Sequence, residues 1–380
     1  MRIFISAGEP SGDLHGANLA RALRELQTDV TLAGFGGPHM AQAGVHLHYP
    51  LTDLAVMGVR RVIRHLPTFL SLLDQAERQW RRQRPDAVVV IDYPGFHFRL
   101  AERAKARGLP VYWFVPPQLW AWQQGRARKV RRWIDTVLTA LPFEEAWYRR
   151  RGISTYHVGH PYFDALAHQS LDATFLQEQQ KRGGTLVGLL PGSRTQEVLA
   201  NGLMLLYAAQ KIKEQRRDVR FLVAAYRSEH AAYLRKLTAR QAIPLEIYVG
   251  RTPEIIELSE VCIAVSGSVS LELMYRLKPA VIVYRMNPLA LWLARQLVHL
   301  PSITLVNLMA RERLYPEVVC SRDESARIAQ LVLAWLNDPA LAHRLSARLE
   351  QLRARVAQPG ACLRAAEFLK QAITSRREAA

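Results

Sequence analysis

The sequence predicts an α/β protein built from two Rossmann-like, doubly wound domains that face a cleft. Its 380 residues are 49% hydrophobic and 22% charged, which is enough for real cores and long for one typical domain. Short runs rich in β-branched residues alternate with longer helical patterns, as in βαβ units on a parallel sheet. A polar stretch divides this alternation into two series, so we expect two domains.

The first series of predicted strands opens at the amino terminus. Its strand candidates are 2–7, 87–91, 111–115, 136–140 and 155–158, and its clearest helical patterns are 14–26 and 96–107. The run at 87–91 is apolar throughout, as in a strand that is buried on both faces. We therefore assign residues 1–170 to an N-terminal domain.

The second series follows a linker that we place at 165–184, because this stretch is polar and ends in paired glycines. Its strand candidates are 186–190, 219–225, 245–249, 261–265 and 280–284. Helical patterns continue from about residue 323 to the end of the chain. We assign 184–340 to a C-terminal domain and 341–380 to a separate C-terminal helical segment.

The composition limits the cellular setting. The first apolar run passes directly into glycine-rich sequence, unlike a signal peptide, and no apolar run approaches the roughly 20 residues that span a bilayer. Cys262, Cys320 and Cys362 lack metal-binding or CxxC spacing, which indicates a packing role in a reducing cytoplasm. We expect a cytoplasmic protein that is soluble or bound to a membrane surface.

The net charge of +18 is dominated by arginine and predicts acidic partners. Nucleic acid, anionic lipid and phosphorylated small substrates all satisfy this prediction, and so does an ordinary solvated basic surface. Because no RNA-binding signature or zinc finger accompanies the charge, we expect no nucleic-acid partner.

The loop after the first predicted strand is rich in glycine and polar groups at a helix entrance. Its candidate site residues are Glu9, Ser11, Gly12 and Asp13. The spacing matches neither GxGxxG nor GxxxxGK[ST], so a dinucleotide or kinase-type phosphate loop is poorly supported. The alternative is a tight, well-capped turn. We favour a functional loop because it carries more polar groups than capping needs.

Two loops in the second series have the features of anion sites. In each, a buried-type strand ends in glycine and serine at the start of a helix, where backbone N–H groups and the helix dipole attract phosphate. The candidates are Gly192, Ser193 and Arg194 in one loop and Ser266, Gly267, Ser268 and Glu272 in the other. Arginine adds a fork for phosphate oxygens, and the Glu272 carboxylate suits ribose hydroxyls. Two such loops in one domain predict a nucleotide-diphosphate site.

Asp92 is the candidate catalytic residue. It follows the buried run 87–91 directly, and the next residues turn the chain, so we expect its carboxylate at the ligand-binding edge of the sheet.

His160, near the domain junction, is as readily a packed hinge residue as a catalytic one. The chain has no HExxH, no cysteine metal spacing and no Asp-x-Asp pair. We therefore expect a reaction that needs no metal or cofactor.

Taken together, these segments resemble the lipid-A-disaccharide synthase family over nearly the whole chain. The matching segments are 7–13, 34–38, 56–58, 91–94, 120–122, 141–144, 158–161, 190–194, 266–268 with Glu272, 284–285 and 307–308. The sequence differs from the common family pattern at Pro10, 116–119 and 161–164, which leaves acyl-chain length and the exact acceptor open.

The resemblance implies a glycosyltransferase-B fold and an inverting, metal-independent transfer. It implies UDP-2,3-diacylglucosamine as donor and the 6-hydroxyl of 2,3-diacylglucosamine 1-phosphate as acceptor, giving a β-1,6 disaccharide and UDP. Asp92 would be the general base, the first-domain loop would bind the acceptor, and Asn307 would help to hold the nucleotide or sugar. The resemblance also implies a homodimer in which the segment from about Leu341 is exchanged.

Residues 54–73 interleave apolar side chains with arginines. This pattern favours peripheral docking on an anionic membrane, although a core helix with a basic outer face shows the same pattern.

The rival enzymes are other UDP-N-acetylglucosamine users of the same fold, namely the peptidoglycan lipid transferase and the 2-epimerase. A non-catalytic basic surface binder is the rival from another class.

Overall fold

The computed structural model describes residues 1–54, 65–239, 245–297 and 300–378. The chain divides into two compact units. The first unit is Met1–Ala167 together with Gln358–Ala380, and the second is His168–Ala357. The segment 341–380, which we expected to be one piece, is therefore divided between the units at residue 357.

Thirteen strands lie in the described part of the chain. Those of the first unit are β1 (Arg2–Ala7), β2 (Thr31–Phe35), β3 (His46–Tyr49), β4 (Ala87–Ile91), β5 (Val111–Phe114), β6 (Thr136–Thr139) and β7 (Thr155–His157). Those of the second unit are β8 (Thr185–Leu190), β9 (Val219–Ala225), β10 (Leu245–Val249), β11 (Val261–Val265), β12 (Ala280–Arg285) and β13 (Glu317–Cys320). Our strand predictions included neither β2, β3 nor β13.

Helices connect the strands. In the first unit they are α1 (Pro10–Leu26), α2 (Pro38–Gln42), α3 (Leu66–Arg82), α4 (Pro94–Ala106), α5 (Ala127–Trp133), α6 (Pro142–Arg149) and α7 (Pro161–Ala167). The second unit contains α8 (Ala173–Lys181), α9 (Thr195–Gln215), α10 (Ser228–Ala239), α11 (Thr252–Leu258), α12 (Val269–Tyr275), α13 (Pro288–Leu297), α14 (Leu305–Ala310), α15 (Ser325–Asn337) and α16 (Pro339–Val356). The last helix, α17 (Ala361–Glu378), belongs to the first unit.

Both sheets are parallel. The first has the order β3-β2-β1-β4-β5-β6-β7, and the second has the order β10-β9-β8-β11-β12-β13. The strand order reverses between β1 and β4 in the first sheet and between β8 and β11 in the second. Ligands of doubly wound sheets bind at such reversals, outside the carboxyl ends of the strands. The two sheets therefore confirm the predicted fold class and define one candidate edge in each unit.

The central strands are buried because helices cover both faces of each sheet. All five residues of β4 and all five of β11 are buried, as expected for apolar runs in parallel sheets. In the described part of the chain, no helix is long and apolar enough to span a membrane.

The final helix completes the core of the first unit. Cys362, Ala365 and Leu369 of α17 share a hydrophobic cluster with residues of β1 and α1. The Asp164 carboxylate accepts hydrogen bonds from the backbone N–H groups of Gly360, Ala361 and Cys362 at 2.7–3.0 Å. This cap fixes the start of α17 on the first unit.

Candidate functional site

The candidate edge of the first unit forms where β1 and β4 lie side by side. Ala7 is paired with Ile91 in register, so the loop that begins at Gly8 and the turn that begins at Asp92 leave the sheet next to each other. The structure therefore brings the predicted first-domain loop and Asp92 to the same place, as their positions after parallel strands predict.

The four predicted acceptor residues differ in exposure. Ser11 is exposed, Glu9 is half-buried and Gly12 is buried. A Cβ atom on Gly12 would lie 3.5 Å from the Ala7 Cβ and 3.6 Å from the Ile91 Cγ2, so α1 runs close over the two central strands. Glu9 and Ser11 are thus the side chains of this loop that can meet a ligand.

Asp13 turns inward. It is 1% exposed, and its carboxylate accepts hydrogen bonds from the N–H groups of Gly37 (2.8 Å), His39 (2.9 Å) and Met40 (3.0 Å). These donors belong to the unpaired amino-terminal N–H groups of α2 and its cap. The Asp13 carboxylate therefore fixes the loop after β2, and its predicted place on the acceptor side stays a prediction.

Asp92 begins a turn of unusual backbone conformation. Asp92 (φ 49°) and Tyr93 (φ 48°) are consecutive non-glycine residues in the left-handed region, which L-residues seldom occupy. The Tyr93 ring lies against the Gly8 backbone, where a Cβ atom would be 2.2 Å from the Tyr93 Cδ1. Burial, followed by the nearby Glu9 carboxylate, raises the pKa of Tyr93. Asp92 itself is half-buried and follows β4 directly, at the carboxyl edge of the first sheet.

Buried His97 lies beneath this turn. Its Nδ1 is 2.7 Å from the Asp92 carbonyl oxygen and its Nε2 is 2.9 Å from the Ser6 hydroxyl. A carbonyl oxygen only accepts, so Nδ1 carries the hydrogen and Nε2 accepts from Ser6. Burial lowers the pKa of His97 to about 4, which keeps the ring neutral near pH 7.

A second buried polar contact stabilises the loop after β5. The Glu144 carboxylate accepts hydrogen bonds from the Trp120 indole N–H (2.9 Å) and from the N–H groups of Ala140 and Leu141. Burial raises the pKa of Glu144 to about 7, against the effect of these three donors. Neighbouring Trp122 is 53% exposed. The loop thus combines a fixed indole and an exposed one at the same edge.

In the second unit, the loop after β8 contains the candidates Gly192, Ser193 and Arg194. Gly192 has φ 107°, a conformation that favours glycine, and Ser193 and Arg194 are exposed. Glu197, on the first turn of α9, folds back toward the loop and pairs with the Arg194 guanidinium at 3.3 Å. The Arg194 side chain of this pair is exposed, whereas the Glu197 side chain is largely buried, so a phosphate can approach the guanidinium from solvent and compete for it.

The loop after β11 lies next to the loop after β8, because β8 and β11 are paired up to Leu190 and Ala264. Gly267 and Ser268 are exposed and Ser266 is half-buried. A Cβ atom on Gly267 would meet nothing within 4 Å. The Ser266 hydroxyl donates to the Ile303 carbonyl at 3.4 Å. The two predicted anion loops are therefore neighbours at the carboxyl edge of the second sheet.

The remaining two candidates of this unit are buried. Glu272 is 3% exposed, and its Oε1 accepts from the Arg276 Nε at 3.1 Å. Asn307 is 2% exposed; its amide donates to the Tyr315 carbonyl and the Glu317 carboxylate, and its oxygen accepts from the Tyr315 N–H. The structure gives Asn307 a structural role that the sequence did not predict, and contact with a nucleotide would require some of these bonds to break.

Sequence reasoning missed His97, Ser6, Glu144 and Glu197. His97 lies five residues after Asp92, on the first turn of the helix that follows it, and Glu197 lies three residues after Arg194, also on the first turn of the following helix. A search of the first helical turn after each candidate loop would have found both. Ser6 inside an apolar strand gave no comparable signal.

Solved structures of similar fold include the S. aureus MnaA-UDP co-structure, with a TM-score of 0.69 and 12% identity over 98% of this chain and 97% of that one. The crystal structure of Acinetobacter baumannii MurG has a TM-score of 0.58 and 14% identity over 97% and 99%. At these identities the likeness concerns the fold alone. The fold is thus the glycosyltransferase-B fold.

The sequence comparisons are more specific. Residues 3–372 match the family described as lipid-A-disaccharide synthetase. A lipid-A-disaccharide synthase of Thiobacillus denitrificans is 36% identical over 373 residues, which cover 98% of this chain and 100% of that protein. One from Anaeromyxobacter dehalogenans is 35% identical over 367 residues, 96% of each chain. The chain belongs to the lipid-A-disaccharide synthase family, which confirms the resemblance.

Proposed function

We propose that this chain is the glycosyltransferase that forms the lipid A disaccharide. It transfers 2,3-diacylglucosamine from UDP-2,3-diacylglucosamine to the 6-hydroxyl of 2,3-diacylglucosamine 1-phosphate. The observation that carries the proposal is the family match over residues 3–372. The two adjacent glycine-serine loops of the second unit and the Asp92 turn of the first support it.

The first unit would activate the acceptor. A hydroxyl that attacks an anomeric carbon must lose its proton, and a carboxylate placed within hydrogen-bonding distance accelerates this loss. Asp92 is the proposed general base. Glu9 and Ser11 would line the acceptor side of the same edge, and Gly12 would allow the close approach of α1. Asp13 would act only by fixing the adjoining loop through its three backbone hydrogen bonds.

The second unit would bind the donor. The backbone N–H groups of Gly192, Ser193 and 266–268, with the Arg194 guanidinium, would bind the diphosphate and stabilise the charge that develops on departing UDP. Glu272 would accept a ribose hydroxyl through its carboxylate. We keep Asn307 as a candidate for the nucleotide or sugar only if its present hydrogen bonds exchange.

Mass spectrometry of the reaction products tests the proposal. Purified protein is given UDP-2,3-diacylglucosamine with 2,3-diacylglucosamine 1-phosphate, and separately UDP-N-acetylglucosamine with and without a lipid-linked muramyl acceptor. We expect the tetra-acylated disaccharide 1-phosphate and UDP only from the acylated pair. Transfer to the muramyl lipid, or conversion of UDP-N-acetylglucosamine to its 2-epimer, would overturn the proposal. So would the absence of any UDP release from any donor.

We also propose that the protein works at the cytoplasmic face of an anionic membrane. Part of the predicted docking segment, 55–64, lies outside the described residues. Within the rest, Leu66 and Leu70 of α3 are 51% and 49% exposed. Phe69 is 9% exposed and packs on the Tyr93 and Phe96 rings. Leu66 and Leu70, rather than Phe69, are therefore the side chains available to lipid.

A second apolar face lies on α13. Leu289 is 67%, Trp292 59% and Leu293 43% exposed. These spacings of three and four residues place them on one side of the helix. The sequence contains no Asp or Glu between Glu272 and Glu312, and Arg295 lies on the helix itself. Apolar side chains beside positive charge suit the interface of an anionic bilayer.

Vesicle co-sedimentation tests these two surfaces. We expect the protein to bind vesicles with phosphatidylglycerol more strongly than vesicles of phosphatidylcholine alone, and Leu66→Ser/Leu70→Ser or Leu289→Ser/Trp292→Ser to reduce binding. Leu199→Ser is the matched control because Leu199 is 51% exposed on α9 without apolar neighbours in this exposed group. Unchanged binding of both double variants would overturn the membrane proposal.

We propose a homodimer in which the segment from about Leu341 is exchanged. The chain passes from the second unit to the first at residues 357–358, so an exchange that begins near Leu341 would carry α17 to the first unit of the partner. Light scattering over the working concentration range should give twice the chain mass. A fully active monomer would contradict the proposal.

A further inference from the structure

The Asp92–Tyr93 turn needs an external support. Consecutive left-handed residues other than glycine persist only where their surroundings hold them. Two backbone bonds contribute: the Asp92 N–H donates to the Val115 carbonyl (3.3 Å) and the His97 N–H donates to the Tyr93 carbonyl (3.2 Å). Neither bond fixes the Asp92 carbonyl, which is the group whose direction changes most when the peptide between Asp92 and Tyr93 rotates.

The His97 ring contacts the Asp92 carbonyl. Its Nδ1–H donates to the Asp92 carbonyl at 2.7 Å, which is shorter than either of the two backbone bonds. At the other end of the ring, the Ser6 hydroxyl donates to Nε2 at 2.9 Å. The Asp92 carbonyl can only accept, so it fixes the Nδ1–H form of the ring. The Ser6 hydroxyl donates to the other ring nitrogen, Nε2, and so holds the orientation of the ring.

We infer that His97, oriented by Ser6, is a positioning residue that aims the Asp92 carboxylate at the acceptor hydroxyl. His97 is 0% exposed and so does not touch substrate itself. The low pKa of the His97 ring, about 4, supports the inference because the ring stays neutral near pH 7 and Nε2 remains able to accept from Ser6. The inference rests on the proposed function, in which Asp92 is the general base.

Two substitutions of His97 separate positioning from packing. His97→Leu keeps apolar volume but removes the donor to the Asp92 carbonyl, and we expect kcat to fall about 10-fold to 100-fold, because small misplacements of a catalytic group have effects of this size. His97→Asn keeps an N–H donor near the Nδ1 position and should stay within about threefold of the wild type. Ser6→Ala should give an intermediate loss because Nε2 then loses its donor and the ring loses one of the two hydrogen bonds that hold its orientation. KM for the donor should change little in all three.

The pH profile provides a readout that a purely structural defect would not move. The acid limb of kcat reports ionisation of the general base in the complex. In His97→Leu the released turn changes the surroundings of the Asp92 carboxylate, so the midpoint of this limb should shift. General damage to the fold would instead lower kcat by the same factor at every pH. Unchanged UDP affinity and a cooperative melting transition establish that each variant is folded.

The double variant Asp92→Asn/His97→Leu tests whether His97 acts through Asp92. If His97 acts through Asp92, the His97 substitution should reduce kcat no further in the Asp92→Asn background. Full multiplication of the two losses would overturn the inference, as would a wild-type rate and acid limb in His97→Leu while Asp92→Asn is inactive. An active Asp92→Asn enzyme is a different result, because it removes Asp92 as the base and with it the proposed mechanism.

Discussion

The two candidate edges occupy equivalent places in their sheets but are constructed differently. In the first unit, the Asp92–Tyr93 turn is held in a left-handed conformation by a buried histidine and by the aromatic packing of Tyr93 on Gly8. In the second unit, Ser193, Arg194, Gly267 and Ser268 are exposed, and the space beside Gly267 is open. A rigid carboxylate suits proton transfer from one hydroxyl, whereas open N–H groups suit a diphosphate that must enter and leave.

The largest expected effect is on catalysis from the first edge. Asp92→Asn keeps the shape of the side chain and removes its proton affinity, and loss of a general base typically lowers the rate about 100-fold to 10,000-fold. The candidate UDP loops belong to the other unit, so UDP affinity should be nearly unchanged. Single-turnover rates with saturating acceptor, together with calorimetry of UDP binding, check both parts. A turn-capping role alone would leave Asp92→Asn active, because Asn can cap as well as Asp.

The second prediction compares the two units in acid. Burial lowers the pKa of His15 to about 3 and the pKa values of His97 and His160 to about 4, all from 6.5. All three histidines belong to the first unit. Between pH 6.5 and about 4 the unfolded chain binds protons that the folded unit does not. The three histidines should therefore lower the free energy of unfolding of the first unit as the pH falls, by about 1.4 kcal/mol per pH unit for each histidine. Glu144 offsets part of this loss, because its pKa is raised to about 7 and the folded unit takes up its proton before the unfolded chain does.

Hydrogen exchange with peptide resolution, corrected for the intrinsic rate, measures this difference. Protection in β1 and β4 should fall more between pH 7 and pH 5 than protection in β8 and β11. His15→Leu should flatten the dependence of the first unit because the Nδ1 of this buried ring has no hydrogen-bond partner among the described residues. His343→Gln, at an exposed position of α16, is the control. Equal loss of protection in the two units would refute the comparison.

The third prediction concerns the open edge. Arg194→Ala should weaken UDP binding about 10-fold to 100-fold, because charge-assisted hydrogen bonds contribute about 1.5–3 kcal/mol. Turnover should fall as well. Glu197→Gln should have the opposite effect on affinity, since the ion pair at 3.3 Å competes with phosphate for the guanidinium. Calorimetric titration with UDP checks both variants. Equal affinities of Arg194→Ala and wild type would remove Arg194 from the proposed site.

The central strands could be predicted from sequence because parallel strands that are buried on both faces are continuous apolar runs. The strand β2 and the edge strand β3 were missed because neither is a continuous apolar run. β2 contains Gly34, and β3 has two histidines among four residues. Such strands are recognised only by the neighbour to which they bond, and that neighbour is distant in sequence.

The loops of the candidate site were found because glycine and polar residues follow strand ends, but the directions of their side chains were not. Asp13 and Asn307 face inward because their partners, Gly37 and Tyr315, are brought to them by other elements. A loop composition shows how many polar groups are present and does not show which of them the protein itself uses. The left-handed turn at Asp92 and its support by His97 depend on three-dimensional packing in the same way.

The smallest expected effects come from adding one methyl group at each edge, in Gly8→Ala and in Gly267→Ala. In Gly8→Ala the new Cβ atom would lie 2.2 Å from the Tyr93 ring, so the ring must move, and this kind of overpacking typically costs about 1–3 kcal/mol. Because Tyr93 shares the left-handed turn with Asp92, kcat should fall too. Gly267→Ala meets open space and should change stability by less than about 0.5 kcal/mol. The methyl group would stand beside the proposed diphosphate contact, however, so UDP affinity should fall. Thermal melting and UDP calorimetry on both variants decide the comparison: a stable, fully active Gly8→Ala enzyme would mean that the first edge is not rigid, and unchanged UDP affinity in Gly267→Ala would mean that the diphosphate does not approach this glycine.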